Sequence, residues 1–132
     1  MPKKKLLNPD WPRSAKADFA QGVQVGDTIY VSGQVAQGPD GKLVGEGDMK
    51  AQAEQVFANI EGVLAVGGAT LKDIVRITTY VTDMSQYGHY ARVRKALFPN
   101  ANIASATVAS PMLVSDGFLI EIEATAVVGA GA

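Results

Sequence analysis

The chain contains no cysteine and a single histidine, His89, and these two shortages remove whole classes of chemistry. Without cysteine there is no disulfide, no thiol nucleophile and no thiolate metal site, and one imidazole is a poor start for a transition-metal centre. Charge is scarce as well. Only 19% of residues are charged, and 12 basic residues against 13 acidic ones leave a net charge of -1. No long-range field draws in a polyanion, so nucleic acid is not an expected partner. No run approaches the roughly 18 consecutive apolar residues of a membrane-spanning helix, and no membrane partner is expected either. The basic start Met1-Pro-Lys-Lys-Lys5 leads into Asn8-Pro-Asp-Trp-Pro12 rather than an apolar stretch of signal-peptide length. It reads as a solvated terminus, and the cytoplasm is the expected compartment. Finally, no Arg or Lys occurs between Lys95 and Ala132.

What is present suits one compact domain over residues 1–132, with an N-terminal arm at 1–14 and a flexible tail at 129–132. At 132 residues and 47% hydrophobic, such a chain buries roughly two-thirds of its unfolded surface. Two β-rich runs flank Gly26-Asp27, a good hairpin turn because Gly supplies positive φ. Pro39-Asp-Gly-Lys42 predicts a second turn, inside a loop from about 35 to 47. Asp48 then caps a helix whose apolar residues Ala53, Val56, Phe57, Ile60, Val63 and Leu64 recur at i, i+3, i+4, and Gly67-Gly68 stops it. The run 74–81 predicts a strand with Val75, Ile77, Thr79 and Val81 on one face. Tyr87, Tyr90, Val93 and Leu97 recur at helical spacing until Phe98-Pro99 ends the segment. Residues 118–128 alternate, with Phe118, Ile120, Ile122, Ala124, Ala126 and Val128 on one face and Glu121 and Glu123 on the other. The order ββ, α, β, α, ββ predicts an α+β fold, a mixed sheet with two helices on one face. The other sheet face is left to solvent or to another subunit.

Four stretches then resemble one family in order and spacing. They are Tyr30-Val-Ser-Gly-Gln34; Gln52-Ala-Glu-Gln-Val56 with Asn59-Ile60; Asp73-Ile-Val-Arg-Ile-Thr-Thr-Tyr-Val-Thr-Asp-Met84; and Ser105-Ala-Thr-Val108 followed by Glu121-Ile-Glu-Ala124. Together they are similar to the RidA/YjgF (reactive intermediate deaminase) family over nearly the whole chain. The resemblance implies a chorismate-mutase-like fold, a homotrimer and small-molecule pockets at the subunit interfaces. It also implies hydrolysis of 2-imino or 2-enamino acids to 2-oxo acids and ammonia, without metal or cofactor.

Carried over position by position, the resemblance makes Glu121 the residue that orients the attacking water. Ser32, Gly33 and Thr107 become pocket residues, with Phe19 near the usual pocket tyrosine. Ser105 stands where the family has the arginine that binds the substrate carboxylate, and Ala91 where many members have asparagine. A charge-assisted hydrogen bond is worth roughly 1.5–3 kcal/mol, and an arginine fork makes two, so its loss weakens carboxylate binding by about a hundredfold or more. The family pattern does not aim Arg92, Arg94 or Lys95 into that gap. The expectation is therefore a hydrolase or lyase for an imine, enamine or related C–N electrophile whose carboxylate is absent or bound differently. One alternative is a non-catalytic trimer that binds a metabolite or a protein. Another is the ordinary 2-iminobutanoate/2-iminopropanoate deaminase. RNA cleavage, proposed for some relatives, conflicts with the near-neutral charge.

Other readings of these residues are blander. Taken without the family, Glu121 and Glu123, about 7 Å apart along a strand, are two carboxylates at a sheet edge or a subunit seam. A nucleophilic Ser105 would need a base, and His89 reads as an exposed or capping residue. Trp11 is expected to pack the arm onto the domain or a neighbouring subunit. Gly67-Gly68 and the Gly-rich tail make no phosphate loop.

Overall fold

Gly26 takes φ 59° and, with Asp27, forms the tight turn the sequence predicts. The turn joins β2 (Gly22–Val25) to β3 (Thr28–Val35), with Val25 facing Thr28. In the computed structural model, which describes residues 3–132, these strands belong to a six-stranded sheet. Its other members are β1 (Lys5–Leu7), β4 (Ile74–Val81), β5 (Ala104–Ala109) and β6 (Ile120–Val127), and the order is β1-β2-β3-β6-β4-β5. All neighbours are antiparallel except β4 and β5. Those two run parallel, as a crossover through a helix requires.

That crossover helix is α3 (Tyr87–Leu97), and beside it lies α2 (Met49–Val66). Asp48 caps α2 as expected, its Oδ1 accepting the Ala51 N–H at 3.0 Å, and Gly67 ends it. The predicted stripe of α2 is buried against β3 and β6. Phe57 meets Phe98 edge to face, with ring centroids 5.9 Å apart. The helices share one sheet face, so the α+β architecture read from the sequence holds.

Four local expectations differ. The alternation puts Val75 on one face of β4 with Ile77, Thr79 and Val81, yet those three are accompanied in the core by Ile74, and Val75 is exposed. Ile74 pairs with Ala126 and Arg76 with Thr125, so Val75 is an extra residue that shifts the alternation by one. Leu97, which recurs at helical spacing with Tyr87, Tyr90 and Val93, does not share their burial but is exposed, and Phe98 is buried just after the helix ends. Within the arm, residues 5–14 are woven into the fold. Lys5–Leu7 pairs with β2, and Leu7 is fully buried. Trp11, just before the short helix α1 (Pro12–Lys16), packs on α2 at Gly62, where a Cβ would lie 2.8 Å from its ring. The tail, expected to be flexible, is tied down: Gly131 donates its N–H to Asp73 Oδ1 at 2.9 Å, and the same carboxylate accepts the Thr70 N–H through Oδ2 at 3.0 Å. These two bonds hold the Asp73 carboxyl below the usual carboxylate range.

Candidate active site

The geometry starts with an irregularity in β3. Val31 pairs with Ala124 but Gln34 pairs with Ile122, so Ser32 and Gly33 together oppose one residue of β6. Such a bulge bends the strand and re-aims its side chains. It brings the Gly33 backbone onto the side chain of Glu121: a Cβ at Gly33 would collide with Glu121 Oε2 and sit 2.9 Å from its Cδ. Gly33 is therefore a glycine for lack of room, and the room is taken by a carboxylate.

Glu121 is half-buried in a cavity of about 650 Å3, which Phe19, Gly33, Leu43, Asp116 and Phe118 also line. Burial pushes its pKa up, the charge on nearby Glu123 pushes it further, and no hydrogen-bond donor among the described residues offsets either. Glu123 has a different role. Its carboxylate accepts the Tyr80 hydroxyl at 3.1 Å on the open face of the sheet.

Ser32 braces this cavity rather than lining it. Its Oγ donates to the Ala20 carbonyl at 2.7 Å, and its N–H donates to the Gln21 carbonyl at 2.9 Å. These bonds hold the segment that carries Phe19, which is 58% exposed at the cavity mouth. Arg13 reinforces the segment from below, donating from Nη1 to Gln21 Oε1, from Nη2 to Gln34 Oε1 and from Nε to the Gly38 carbonyl.

Two further residues shape the site, and sequence reasoning gave them no role. Gln52 is fully buried on α2; its Nε2 donates to the carbonyls of Gly45 and Gly117, and its Oε1 accepts the Leu119 N–H. Asn59 Nδ2 donates to the carbonyls of Val35 and Gln37. Between them they pin the loops that supply Gln37, Leu43, Asp116 and Phe118 to the cavity. A signal was present: both are polar residues on the apolar stripe of a helix, which an unpaired side chain would not tolerate.

Ser105 and Thr107 lie elsewhere. Ser105, on the edge strand β5, lines a separate cavity of about 340 Å3 with Ala91, Arg94, Lys95 and Phe98 of the α3 segment. Thr107 is half-buried opposite Thr79 and lines neither cavity. A single chain thus unites Phe19, Gly33 and Glu121, with Ser32 behind them, and keeps Ser105 and Thr107 apart from them. The expectation for the α3 cations is corrected as well. Arg94 and Lys95 do face the Ser105 cavity, and only Arg92 points away, into a groove between α2 and α3 with His89. His89 is exposed and lines that groove, not the cavity beside Ser105. Among the described residues no three His, Asp or Glu side chains gather in a way that could hold a metal ion. No described helix is long and apolar enough to cross a membrane.

A six-stranded mixed sheet under two helices, with a glycine-backed glutamate on its sixth strand, defines a small α+β protein with an acidic cleft. Comparison with known proteins places it further. The family model described as Endoribonuclease L-PSP matches residues 12–128. A RutC family protein of Pyrococcus abyssi is 33% identical over 108 residues, covering 82% of this chain and 84% of that protein. The 2-iminobutanoate/2-iminopropanoate deaminase of Mus musculus is 30% identical, covering 96% of this chain and 93% of that protein. The crystal structure of yeast Mmf1 superposes with a TM-score of 0.87 at 28% identity, covering 96% of this chain and 99% of the other. The chain belongs to the RidA/YjgF family.

Proposed function

We propose that this protein is a cofactor-independent hydrolase or lyase that acts on an imine, enamine or related C–N electrophile, with Glu121 positioning and deprotonating the attacking water. In the hydrolytic form, water adds to the carbon of C=N while its proton passes to the Glu121 carboxylate. The proton passes on to nitrogen to give a carbinolamine; the hydroxyl proton then moves by way of the Glu121 carboxylate to the amino group, the C–N bond breaks as ammonia departs, and the carbon is left as C=O. The observation that carries this reading is the half-buried, unshielded Glu121 carboxylate, whose pKa lies above the ordinary range. A carboxylate tuned upward is a better base near neutrality than an exposed one. The mouse relative's name as a 2-iminobutanoate/2-iminopropanoate deaminase supports the reaction class.

The complete site is composite in this reading. The Glu121 cavity includes the acidic Asp116, whereas the Ser105 cavity carries Arg94 and Lys95 and no acid. A head-to-tail contact between copies in a homotrimer would set the acidic half of one copy against the basic half of the next, and complementary charge favours that register. Because Ser105 replaces the family arginine, the substrate carboxylate is either absent or held by another group.

The direct test is hydrolysis of imines generated in situ by an amino-acid oxidase, beside imines that lack a carboxylate, scored against the spontaneous rate. Acceleration of either set is expected. A rate equal to buffer for every imine, together with a ligand-dependent thermal stabilisation by a metabolite, would replace the enzyme with the binding protein.

A further inference from the structure

The cavity beside Ser105 is positively charged by composition, since Arg94 and Lys95 are its charged lining residues and none is acidic. Arg94 is held in place rather than solvated freely. Its Nη2 donates to the Tyr87 hydroxyl oxygen at 2.8 Å, its Nη1 reaches the Tyr90 hydroxyl oxygen at 3.5 Å, and its guanidinium stands 5.5 and 5.1 Å from the two ring centroids. Tyr90 is fully buried and its hydroxyl is 2.7 Å from Thr79 Oγ1, so the chain of contacts ends in the core of β4.

Among the described residues the fixed cation has no counter-ion. The ion pair among them is Lys50 with Glu54, on the outer face of α2. Burial lowers the Arg94 pKa, and the phenol oxygens of Tyr87 and Tyr90 more than compensate, so the charge is secure. Phenol oxygens occupy one N–H on each terminal nitrogen, which leaves Nε–H and a second N–H on each for a planar acceptor. Arg13, which lines a cavity adjoining Glu121, is differently placed, because all three of its nitrogens already donate to the protein.

We propose that Arg94, with Ser105 and the nearby Lys95, binds the carboxylate of an imino or enamino acid substrate, so that α3 supplies the cation that β5 lacks. The inference rests on the hydrolase reading above, and it narrows the substrate class to carboxylate-bearing imines and enamines. An arginine fork locked by two tyrosines is pre-organised, so little side-chain freedom is lost when a carboxylate docks.

The probe is 2-oxobutanoate, the oxo acid counterpart of a 2-imino acid, titrated calorimetrically into the intact protein with butanone as the carboxylate-free control. Wild type is expected to bind 2-oxobutanoate and not butanone, and Arg94→Gln to weaken that binding about tenfold or more. Because Arg94 also packs on Tyr87 and Tyr90, Arg94→Lys serves as the second variant. It keeps the charge and the stem but loses the fork, and its affinity should fall between the other two. Equal affinity in Arg94→Gln and wild type overturns the inference, as does an absence of 2-oxobutanoate binding to wild type at millimolar concentration. Turnover, read in parallel, separates the two claims. Imine hydrolysis with an unchanged KM in Arg94→Gln removes the carboxylate site and leaves the hydrolase standing. Arg94-dependent binding of 2-oxobutanoate without turnover of any imine keeps the carboxylate site and removes the hydrolase.

Discussion

Glu121→Gln should lower kcat/KM for imine hydrolysis by about a hundredfold to ten-thousandfold, the usual worth of a positioned general base. The substitution keeps the size of the side chain and its place against Gly33, so a loss of rate reports the missing base and not a rearranged cavity. The same variant has an opposite effect on stability. Glu121 has a folded-state pKa above its unfolded value, so between those two values the native protein binds more protons than the unfolded chain. Wild-type stability therefore falls as pH rises through that window, and the cost persists above it. Glu121→Gln has no such fall, and denaturant melts of both proteins across the acid-to-neutral range should show the curves separating with increasing pH. A variant that is less active and more stable at neutral pH is the signature of a residue kept for chemistry. Unchanged kcat/KM would leave Glu121 a strand carboxylate with no part in the reaction.

Gly33→Ala is expected to cost nearly as much activity while leaving the fold intact. Its added methyl would collide with the Glu121 carboxylate, which must swing away. A displacement of about 1 Å at a reacting group can cost a hundredfold in rate. Stability should change by no more than about 1 kcal/mol, because Gly33 is exposed, its φ is not in the left-handed region, and the atom that must move is the end of a flexible side chain. Thermal melting beside steady-state kinetics separates the two effects. A large drop in Tm with proportionate loss of rate would mark Gly33 as a folding residue instead.

The elements were legible in the sequence wherever one period dominated. The apolar stripe of α2, its Asp48 cap and its Gly67 stop, and the strict alternation of β6 appear in the structure as read. Sequence reasoning failed where one residue breaks the period. The extra residue at Val75 turns the start of β4 over, and an alternation rule has no means of anticipating it. The arm was underestimated for another reason. Lys5–Leu7 is too short to carry a pattern, and its place comes from pairing with β2 and from Leu7 filling the core.

What the sequence suggests of the candidate site comes from family resemblance more than from physics. Phe19, Gly33 and Glu121 share a cavity, but nothing in the sequence tells a reader that Gly33 and Glu121 touch, because the contact depends on the bulge at Ser32-Gly33. Nor does sequence spacing show Arg94 and Lys95 opening onto Ser105. That follows from how α3 crosses back over β5, a tertiary relation set by the parallel pairing of β4 with β5.

The measurement that tests the central claim most directly is the pH profile of kcat/KM for imine hydrolysis by wild type. Glu121 must be ionised to take a proton from water, so the rate should rise with pH along a limb displaced above the ordinary carboxylate range, and Glu121→Gln should lack that limb. A profile of the same shape in both proteins would contradict the assignment of Glu121 as the base.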